Sequence, residues 1–288
     1  MKIGIIGAGK VGISLGYVLR GNGADVTVIS DRLPSALETA RGFLGTDMAY
    51  TGDVMEVVRS CSVVAIATQD REIAGIARDI FKAAGDLTGK LFFHTSGADP
   101  SSILSPLDEK GAHLGSLHPL QTFPDIESAI EVLPDTSIFI EGDEKALAVL
   151  RVIAGHLGAS IHTIAGKDKV FYHLAAVFVC NLLSALMHSG TGVMDRIDVS
   201  LEPFLPIIRA TMKNIEAKGP LAALTGPVVR GDDKTIRSHL AAMEDMPLHR
   251  DIYLALSKMA LEMVRERKAL SEAEIEILRR VLEGGEKT

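Results

Sequence analysis

The stretch Ile3-Gly4-Ile5-Ile6-Gly7-Ala8-Gly9-Lys10-Val11-Gly12 decides the fold of the amino-terminal half. A short apolar run ends at Gly7, which predicts a buried strand followed by a tight turn into a helix. Gly7 permits the turn, Gly9 lets the backbone approach a ligand closely, and Gly12 lets the helix pack on the strand. This spacing is typical of a loop that binds a dinucleotide pyrophosphate at a helix N-terminus. The expected cofactor contacts are Gly7, Ala8, Gly9, Lys10, Val11 and Gly12.

Short apolar runs alternate with helical periodicity beyond this loop. The predicted strands are Lys2–Ile6, Asp25–Ile29, Ser62–Ala67 and Leu91–His94, and the predicted helices are Val11–Leu19, Ser35–Gly42, Asp53–Arg59 and Arg71–Ala84. Such alternation predicts a parallel, doubly wound sheet. Residues 95–136 contain five prolines and are predicted as loop, followed by strands at Ser137–Glu141 and Ser160–Ile164 around a helix at Glu144–Leu157.

No convincing strand follows Gly166. The predicted helices there are Lys169–Ser189, Val199–Ala217, Lys234–Met243, His249–Glu266 and Ser271–Leu282, the last with a capping box from Ser271 to Glu274. The expected fold is therefore an α/β amino-terminal domain with a Rossmann-type doubly wound sheet, residues 1–166, followed by an all-α domain for substrate binding and dimerisation, residues 167–288.

The composition excludes several classes of protein. Of 288 residues, 47% are hydrophobic and 23% charged, which allows a full core and argues against a disordered chain. The formal net charge of -7, without a visible basic cluster, argues against a nucleic-acid partner. Two distant cysteines, Cys61 and Cys180, exclude a disulfide scaffold and fit a reducing cytosol. No zinc-binding histidine motif occurs, so no catalytic metal is expected, and no signal peptide is expected at the first residues.

One stretch is long enough to cross a membrane. Val170–Met194 contains no Asp, Glu, Lys or Arg. It nevertheless holds several polar residues, including His173, Asn181 and His188. We therefore expect a buried helix that ends near Gly190. The protein is expected to be cytoplasmic and to have no membrane partner.

The end of the second predicted strand distinguishes NADP from NAD. An acidic residue there would hold the ribose hydroxyls, whereas a small polar residue with a nearby arginine suits a 2′-phosphate. Ser30 and Arg32 favour NADP, and Asp31 would repel a phosphate unless its side chain points away. NADP is therefore expected, with NAD as the alternative. Thr68 and Gln69 end another strand and are expected to contact the cofactor through their backbone.

Three segments carry a family resemblance across nearly the whole chain. They are His94-Thr95-Ser96-Gly97-Ala98 with Gly115-Ser116-Leu117-His118-Pro119-Leu120-Gln121, Asp168-Lys169 through Tyr172-His173 to Asn181, and Thr225-Gly226-Pro227 with Arg230-Gly231-Asp232. They resemble the bacterial family that joins a Rossmann-like domain to the domain DUF2520, within the superfamily of 6-phosphogluconate and 3-hydroxyacid dehydrogenases and ketopantoate reductases.

The resemblance implies an enzyme, an NADP-dependent oxidoreductase that acts on a small molecule and forms a homodimer through its helical domain. The first expected substrate is a small 2-oxo acid, with 2-dehydropantoate (ketopantoate) foremost. An imine or a 3-hydroxy acid is the alternative substrate. A nucleotide-binding regulatory protein without turnover is the alternative of a different class.

The same resemblance suggests catalytic residues. His173 precedes Asn181 by eight residues, as a lysine precedes an asparagine in ketopantoate reductases, and eight residues of a regular helix project to a similar side. His173 is therefore the first candidate for the proton donor, and Asn181 would orient the substrate carbonyl. Lys169, one turn before His173, is the competing donor. A structural histidine and a solvated lysine are the plainer alternatives.

Other candidates are expected to hold the substrate. Thr95, Ser96 and Gly97 follow a strand, at the edge where open α/β sheets bind ligands, and a similar loop contacts the substrate carboxylate in 3-hydroxyacid dehydrogenases. His118 precedes a proline, as does a histidine near the active site of prephenate dehydrogenases. Arg230 presents a planar group suited to a carboxylate. An ordinary turn, a rigid loop corner and a surface ion pair are the respective structural alternatives.

Overall fold

One eight-stranded sheet organises the amino-terminal part of the computed structural model, which describes residues 1–284. The strands are β1 (Ile3–Ile6), β2 (Val26–Ser30), β3 (Ala49–Thr51), β4 (Val63–Ile66), β5 (Leu91–His94), β6 (His113–Pro119), β7 (Ser137–Gly142) and β8 (Ser160–Thr163). Their order is β3-β2-β1-β4-β5-β6-β7-β8, and neighbours are parallel except for the antiparallel pair β6–β7. The predicted doubly wound α/β fold is confirmed.

Helices cover both faces of this sheet. They are α1 (Lys10–Gly21), α2 (Pro34–Leu44), α3 (Val54–Ser60), α4 (Asp70–Ala83), α5 (Ile126–Val132) and α6 (Glu144–His156). Alternate residues of β1 enter different cores: Ile5 shares one with Ile13 of α1, and Ile6 shares the other with Ile73 of α4. Burying an isoleucine contributes about 1.5–3 kcal/mol, so these two cores hold the sheet in place between its helices.

The strand order places the ligand crevice. The strands β1 and β4 are neighbours in the middle of the sheet. From β1 the chain continues through β2 and β3 toward one side, and from β4 it continues through β5 to β8 toward the other. In open α/β sheets, ligands bind outside the carboxyl ends of the strands at such a reversal. The loops after β1, β4 and β5 therefore line one edge of the sheet in sequence.

Several elements escape the sequence prediction. The short strand β3 was not predicted, and β6 and α5 lie inside the segment expected to be loop. A 3₁₀ helix, Ser101–Lys110, also occupies that segment. Buried polar side chains on one face of β6 interrupt the apolar pattern from which a buried strand is recognised.

The long apolar stretch forms α7 (Lys169–Ala176), a π-helical segment (Val177–Asn181) and α8 (Leu182–Met194). Within the described residues, the helical run Gly166–Ile197 is long and apolar enough to cross a membrane, with a mean hydropathy of 1.9, and none of its apolar window is buried. The expected buried helix ending near Gly190 is therefore wrong. The helix continues to Met194, and several of its large apolar side chains are exposed in the single chain, among them Phe171, Leu174, Phe178 and Val179.

The chain divides into two compact units inside this helix. The first ends at Val179 and the second begins at Cys180, whereas the sequence placed the boundary at Gly166. The division lies later because α7 packs onto the sheet through its first turns. Lys169, for example, bonds to residues 96 and 116 of the sheet unit.

The second unit is helical. Its further helices are α9 (Leu205–Ala223), α10 (Asp233–Ala242), α11 (Pro247–Glu266) and α12 (Glu272–Leu282). The predicted helix Val199–Ala217 begins later and ends later, and Gly219, with φ of 76°, interrupts α9 before Pro220. Buried apolar side chains of α10, α11 and α12 form the core of this unit. The capping box of Ser271 and Glu274 is confirmed at the start of α12.

Candidate active site

Two glycines shape the loop after β1. The φ of Gly7 is +107°, a backbone conformation that glycine adopts readily, and its N–H donates to the carbonyl of Ser30 at 2.7 Å. A Cβ at Gly12 would lie 2.0 Å from the carbonyl oxygen of Gly7. The loop and α1 therefore meet so closely that only glycine fits at position 12.

Gly9 differs from both, because a Cβ there would meet no atom within 4 Å. Helix α1 begins next to it without a side-chain cap and without an acidic residue in its first turn. Its first N–H groups can therefore receive an anion, which is the arrangement that binds dinucleotide phosphates. The side chain of Lys10 bonds to the carbonyl of Pro124, so Lys10 offers its backbone rather than its ammonium group.

The end of β2 carries the residues that were predicted to distinguish NADP from NAD. Ser30 is fully buried, and its hydroxyl has no hydrogen-bond partner within the described residues, so Ser30 is a weaker candidate than the exposed Arg32 for contact with a 2′-phosphate. The Asp31 carboxylate accepts the N–H groups of Ala8 and Leu33, both at 2.9 Å, and is thereby held against its own loops. Arg32 is exposed and makes no ion pair among residues 1–284. Arg32 therefore remains as the candidate partner of a 2′-phosphate.

The loop after β4 lies beside the glycine loop. The Thr68 methyl group is 3.0 Å from the position that a Cβ of Gly7 would take. The Thr68 hydroxyl is buried and has no partner in the described part of the chain, so it can bond to a group that enters the crevice. Gln69 is exposed and precedes the first residue of α4. Both residues therefore border the expected cofactor position.

The loop after β5 is held tightly. The Ser96 N–H donates to Nδ1 of His94 at 3.1 Å, and the Ser96 hydroxyl donates to Asp70 at 2.9 Å. Thr95 continues from the sheet edge, with its N–H on the carbonyl of Ile66 at 3.2 Å. The loop that carries Gly97 therefore has a fixed position at the end of the strand.

Strand register brings polar side chains into one row. Ser116 of β6 lies opposite His94 of β5 on one side and opposite Glu141 of β7 on the other. His118, two residues beyond Ser116, lies on the same face of β6 and opposite Phe139. This polar face of β5, β6 and β7 lies next to the Ser96–Gly97 loop.

Helix α7 lies over this face. Lys169, Tyr172 and His173 have the spacing i, i+3 and i+4, which puts them on one side of a helix. Lys169 is 1% exposed, and its ammonium group donates to the Ser96 carbonyl and to the Ser116 hydroxyl, both at 2.8 Å. The alternative of a solvated lysine is therefore wrong, and the ammonium group faces the sheet.

Two imidazoles enclose Gly97. A Cβ at this position would lie 2.7 Å from Nδ1 of His173 and 2.8 Å from Nε2 of His118. The two rings are 6.2 Å apart and nearly perpendicular. The Nδ1 atom of His173 is buried and has no partner within the described residues. Two groups able to carry a proton therefore converge where the β5 loop meets α7.

The ionisation of these groups follows from burial and from Lys169. Burial, and then the Lys169 charge, lowers the pKa of His94 to about 3 and that of His118 to about 4. Burial also lowers the pKa of Lys169 to about 8, against the opposing effect of Glu141. Burial raises the pKa of Tyr172, whose phenol lies 2.8 Å from Nδ1 of His118. His94 and His118 are therefore neutral at neutral pH.

The structure does not gather every predicted residue in one unit. Asn181 is exposed at the end of the π-helical segment and belongs to the second unit. That segment also removes the regular α-helix on which the eight-residue argument for His173 and Asn181 rested. Arg230 is exposed in the turn before α10, also in the second unit. Asp232, two residues later, accepts the N–H of Thr235 and serves as a helix cap.

No role was predicted for Glu141, and Ser116 and Tyr172 appeared only within the motifs that carry the family resemblance. Glu141 ends a predicted strand, and only strand register shows that it faces Ser116. Tyr172 could have been found from its helical spacing to Lys169 and His173. Within residues 1–284, no group of three His, Cys, Asp or Glu side chains is placed to hold a metal ion.

Comparisons with solved structures give the same fold over nearly the whole chain. A Bacteroides fragilis protein described as an NADP oxidoreductase is 25% identical, with a TM-score of 0.74, over 90% of this chain and 96% of that one. An Aspergillus terreus reductive aminase in complex with NADPH and ethyl-5-oxohexanoate is 14% identical, with a TM-score of 0.70, over 95% and 97%. An imine reductase from the same organism, in complex with NADPH4 and dibenz[c,e]azepine, is 15% identical, with a TM-score of 0.67, over 95% and 97%.

Family models divide the chain in two. Residues 1–119 match the model of the Rossmann-like domain, and residues 136–260 match the domain of unknown function DUF2520. A comparison with curated proteins finds no match. The chain therefore carries a Rossmann-like domain followed by a DUF2520 domain, in the order that its sequence motifs predicted.

Proposed function

We propose that the chain is an NADP-dependent oxidoreductase that reduces a carbonyl or imine group of a small molecule. The observation that carries the proposal is the position of Gly97 between the imidazoles of His118 and His173. This pair lies at the same sheet edge as the glycine loop, with the β4 loop between them. Proton-carrying groups beside a dinucleotide loop are the parts that a reductase needs.

The glycine loop fits the expected cofactor. The open space at Gly9 and the uncapped start of α1 suit a pyrophosphate, and the exposed Arg32 suits a 2′-phosphate. When bound, NADPH supplies the hydride, and the chain has to hold the substrate and deliver a proton. The neighbours described as NADP or NADPH proteins support the choice of NADP over NAD.

The proton donor in this proposal is His173, as the sequence suggested. Its Nδ1 atom is buried without a partner in the described residues, so it is free to bond to a substrate oxygen or nitrogen. His118 is the second candidate by position, because its Nε2 atom lies on the other side of Gly97, but its low pKa leaves it neutral at neutral pH and makes it the weaker acid–base group. Asn181 and Arg230 stay proposals as residues that orient the carbonyl and bind a carboxylate.

Two substrate classes, imines and 2-oxo acids, are candidates. The reductive aminase and imine reductase neighbours favour an imine. A 2-oxo acid rests on the sequence resemblance alone, and neither the fold nor the comparisons support ketopantoate in particular. A panel of cyclic imines and 2-oxo acids, including 2-dehydropantoate, separates them when NADPH oxidation is followed at 340 nm.

A panel in which no compound is reduced still tests the proposal when NADPH binding is measured in parallel. NADPH binding without oxidation by any member of the panel would favour the nucleotide-binding regulatory protein. Absence of NADPH binding would contradict the proposal as a whole. Isothermal titration calorimetry with NADPH and NADH gives this measurement independently of any substrate.

The exposed helix supports a homodimer. Phe171 and Val179 are 71% and 74% exposed in the single chain, which is costly for large apolar side chains in water. We propose that a second copy covers this face and that the two copies form a symmetric pair. Sedimentation velocity at micromolar concentration tests it: a monomer that sediments without detergent contradicts the dimer, and association with liposomes would favour a membrane instead.

A further inference from the structure

Lys169 is placed to join three parts of the sheet unit. It lies in the first turn of α7, and its ammonium group is almost fully buried. One hydrogen bond fixes the Ser96 carbonyl in the loop after β5, and the other fixes the Ser116 hydroxyl in the middle of β6. An ammonium group has three donors, and two of them are used on protein atoms here.

Glu141 balances this buried charge through Ser116. Its carboxylate accepts the Ser116 hydroxyl at 3.3 Å, and the N–H and the hydroxyl of Ser101 at 2.7 Å each. The Ser116 hydroxyl therefore accepts from Lys169 and donates to Glu141. A buried ammonium group is costly unless it is hydrogen-bonded and its charge is offset. Two hydrogen bonds hold Lys169, and the nearby charge of Glu141, reached through Ser116, favours its charged form.

We propose that Lys169 is a positioning residue rather than the proton donor, and that the Lys169–Ser116–Glu141 array fixes the Ser96–Gly97 loop between His118 and His173. The inference rests on the proposed function, since it assigns a role within the same site. Lys169 acts through the loop, because both of its hydrogen bonds lead to the protein. His173, on the next turn of α7, presents an unpartnered nitrogen to Gly97.

The same ammonium group affects the neighbouring imidazoles. His94 of β5 and His118 of β6 face Lys169 from the sheet, and its charge adds to burial in lowering the pKa of both. Asp99 and Asp70, in the β5 loop and in α4, act in the opposite direction on Lys169, as does Glu141. Removal of Lys169 should therefore loosen the loop and raise the pKa of His118.

The first test measures the loop directly. We expect Lys169→Met to increase hydrogen–deuterium exchange of a peptide spanning residues 94–99 at least about tenfold, since the Ser96 amide loses the support of its loop. Ser116→Ala should show the same direction with a smaller effect, and Ser116→Thr, which keeps the hydroxyl, should restore protection. Lys90→Met is the matched control, because the Lys90 ammonium donates to the Cys61 carbonyl at 2.6 Å near the amino end of β5.

The second test uses NMR titration of the histidine side chains, with His118→Asn to assign the resonance. The pKa of His118 should rise in Lys169→Met, because the Lys169 charge adds to burial in lowering it, and stay unchanged in Lys90→Met. Unchanged exchange and an unchanged His118 titration in Lys169→Met would overturn the inference. If the variant does not fold, the Ser116→Ala and Ser116→Thr pair decides by the same exchange measurement.

Kinetics separate this inference from the proposed function. Once a substrate is known, a positioning role predicts that Lys169→Met raises KM and lowers kcat. Ser116→Ala should also raise KM and lower kcat, with a smaller effect on each. Complete loss of kcat in Lys169→Met with full protection of the loop would make Lys169 the donor and contradict the inference. If NADPH does not bind the wild-type chain, the proposed function fails, and the exchange result still decides whether the array holds the loop.

Discussion

The phenol oxygen of Tyr172 lies 2.8 Å from Nδ1 of His118, which ties α7 to β6 at the edge of the candidate site. The Tyr172 ring also packs on Phe139 of β7, with ring centroids 4.2 Å apart. Both polar groups are uncharged at neutral pH, because burial raises the pKa of Tyr172 and lowers that of His118. A neutral hydrogen-bonded pair thus fixes one of the two rings beside Gly97.

Stability should fall as the pH drops below about 6.5. His94 and His118 have pKa values of about 3 and about 4 in the folded chain, against 6.5 ordinarily, so the unfolded chain binds more protons between these values. Each histidine then contributes a slope of up to about 1.4 kcal/mol per pH unit, which flattens near its folded pKa. Urea unfolding at pH 7.5 and 5.0 measures this. An equal slope in a His94→Asn, His118→Asn variant would assign it to other groups.

Gly9→Val should separate cofactor binding from folding. A side chain at Gly9 meets no protein atom within 4 Å, so the melting temperature should change by no more than about 2 °C. The same side chain would fill the space of the pyrophosphate, and NADPH affinity should fall at least about tenfold, or 1.4 kcal/mol. Gly21→Val, at the other end of α1, is the control that should bind normally. Normal NADPH binding by Gly9→Val would place the phosphates elsewhere.

Arg32→Ala should weaken NADPH binding about tenfold and leave NADH binding unchanged, because only NADPH carries the 2′-phosphate. Ser30→Ala should change neither affinity, since Ser30 is buried without a bonding partner in the described residues. Calorimetric titration of both variants with both cofactors measures the effect. Equal losses of NADPH and NADH affinity in Arg32→Ala would point to a disturbed loop rather than a lost phosphate contact.

Gly97→Ala should reduce turnover at least about tenfold without affecting NADPH affinity. Its Cβ would lie under 3 Å from both imidazoles and would force His118 and His173 apart. Gly85→Ala is the matched control, because a Cβ there meets nothing within 4 Å. Steady-state kinetics and NADPH titration on both variants give the measurement. Full activity of Gly97→Ala would remove the two rings from the reaction.

His173→Ala should lower kcat by about 10²–10⁴, the usual contribution of general acid catalysis. Cofactor affinity should stay the same, because the glycine loop lies on other strands of the sheet. Asn181→Ala should raise KM as well as lower kcat if it bonds to the substrate carbonyl. A His173→Ala variant with full kcat would transfer the donor role to His118, for which His118→Ala is the next variant to measure.

Sequence periodicity predicted the strands and helices that keep one hydrophobic pattern along their whole length. Strand Leu91–His94 was predicted with its observed bounds, and the helix starting at Lys169 with its observed first residue. Strand β6 was missed because His118 and Ser116 put polar groups on one of its buried faces. Local rules fail most often at functional sites, and here the missed strand carries part of the site.

The candidate site was only partly predictable for the same reason. The glycine loop, Ser96–Gly97 and His173 could be found from motifs, because each motif is contiguous along the chain. The partnership of Lys169 with Ser116 and Glu141 depends on strand register and on the packing of α7, which no local pattern encodes. The full burial of Ser30 likewise depends on the packing of the sheet, which no local pattern encodes.

The buried Lys169–Ser116–Glu141 array also imposes an order of assembly on the chain. Lys169 reaches Ser96 across 73 residues and Ser116 across 53, and it follows all eight strands of the sheet in the chain. During synthesis, the glycine loop and β1 to β6 emerge before residue 169 does. A nascent chain can therefore complete its nucleotide loop first and acquires the charge that balances Glu141 only when α7 docks.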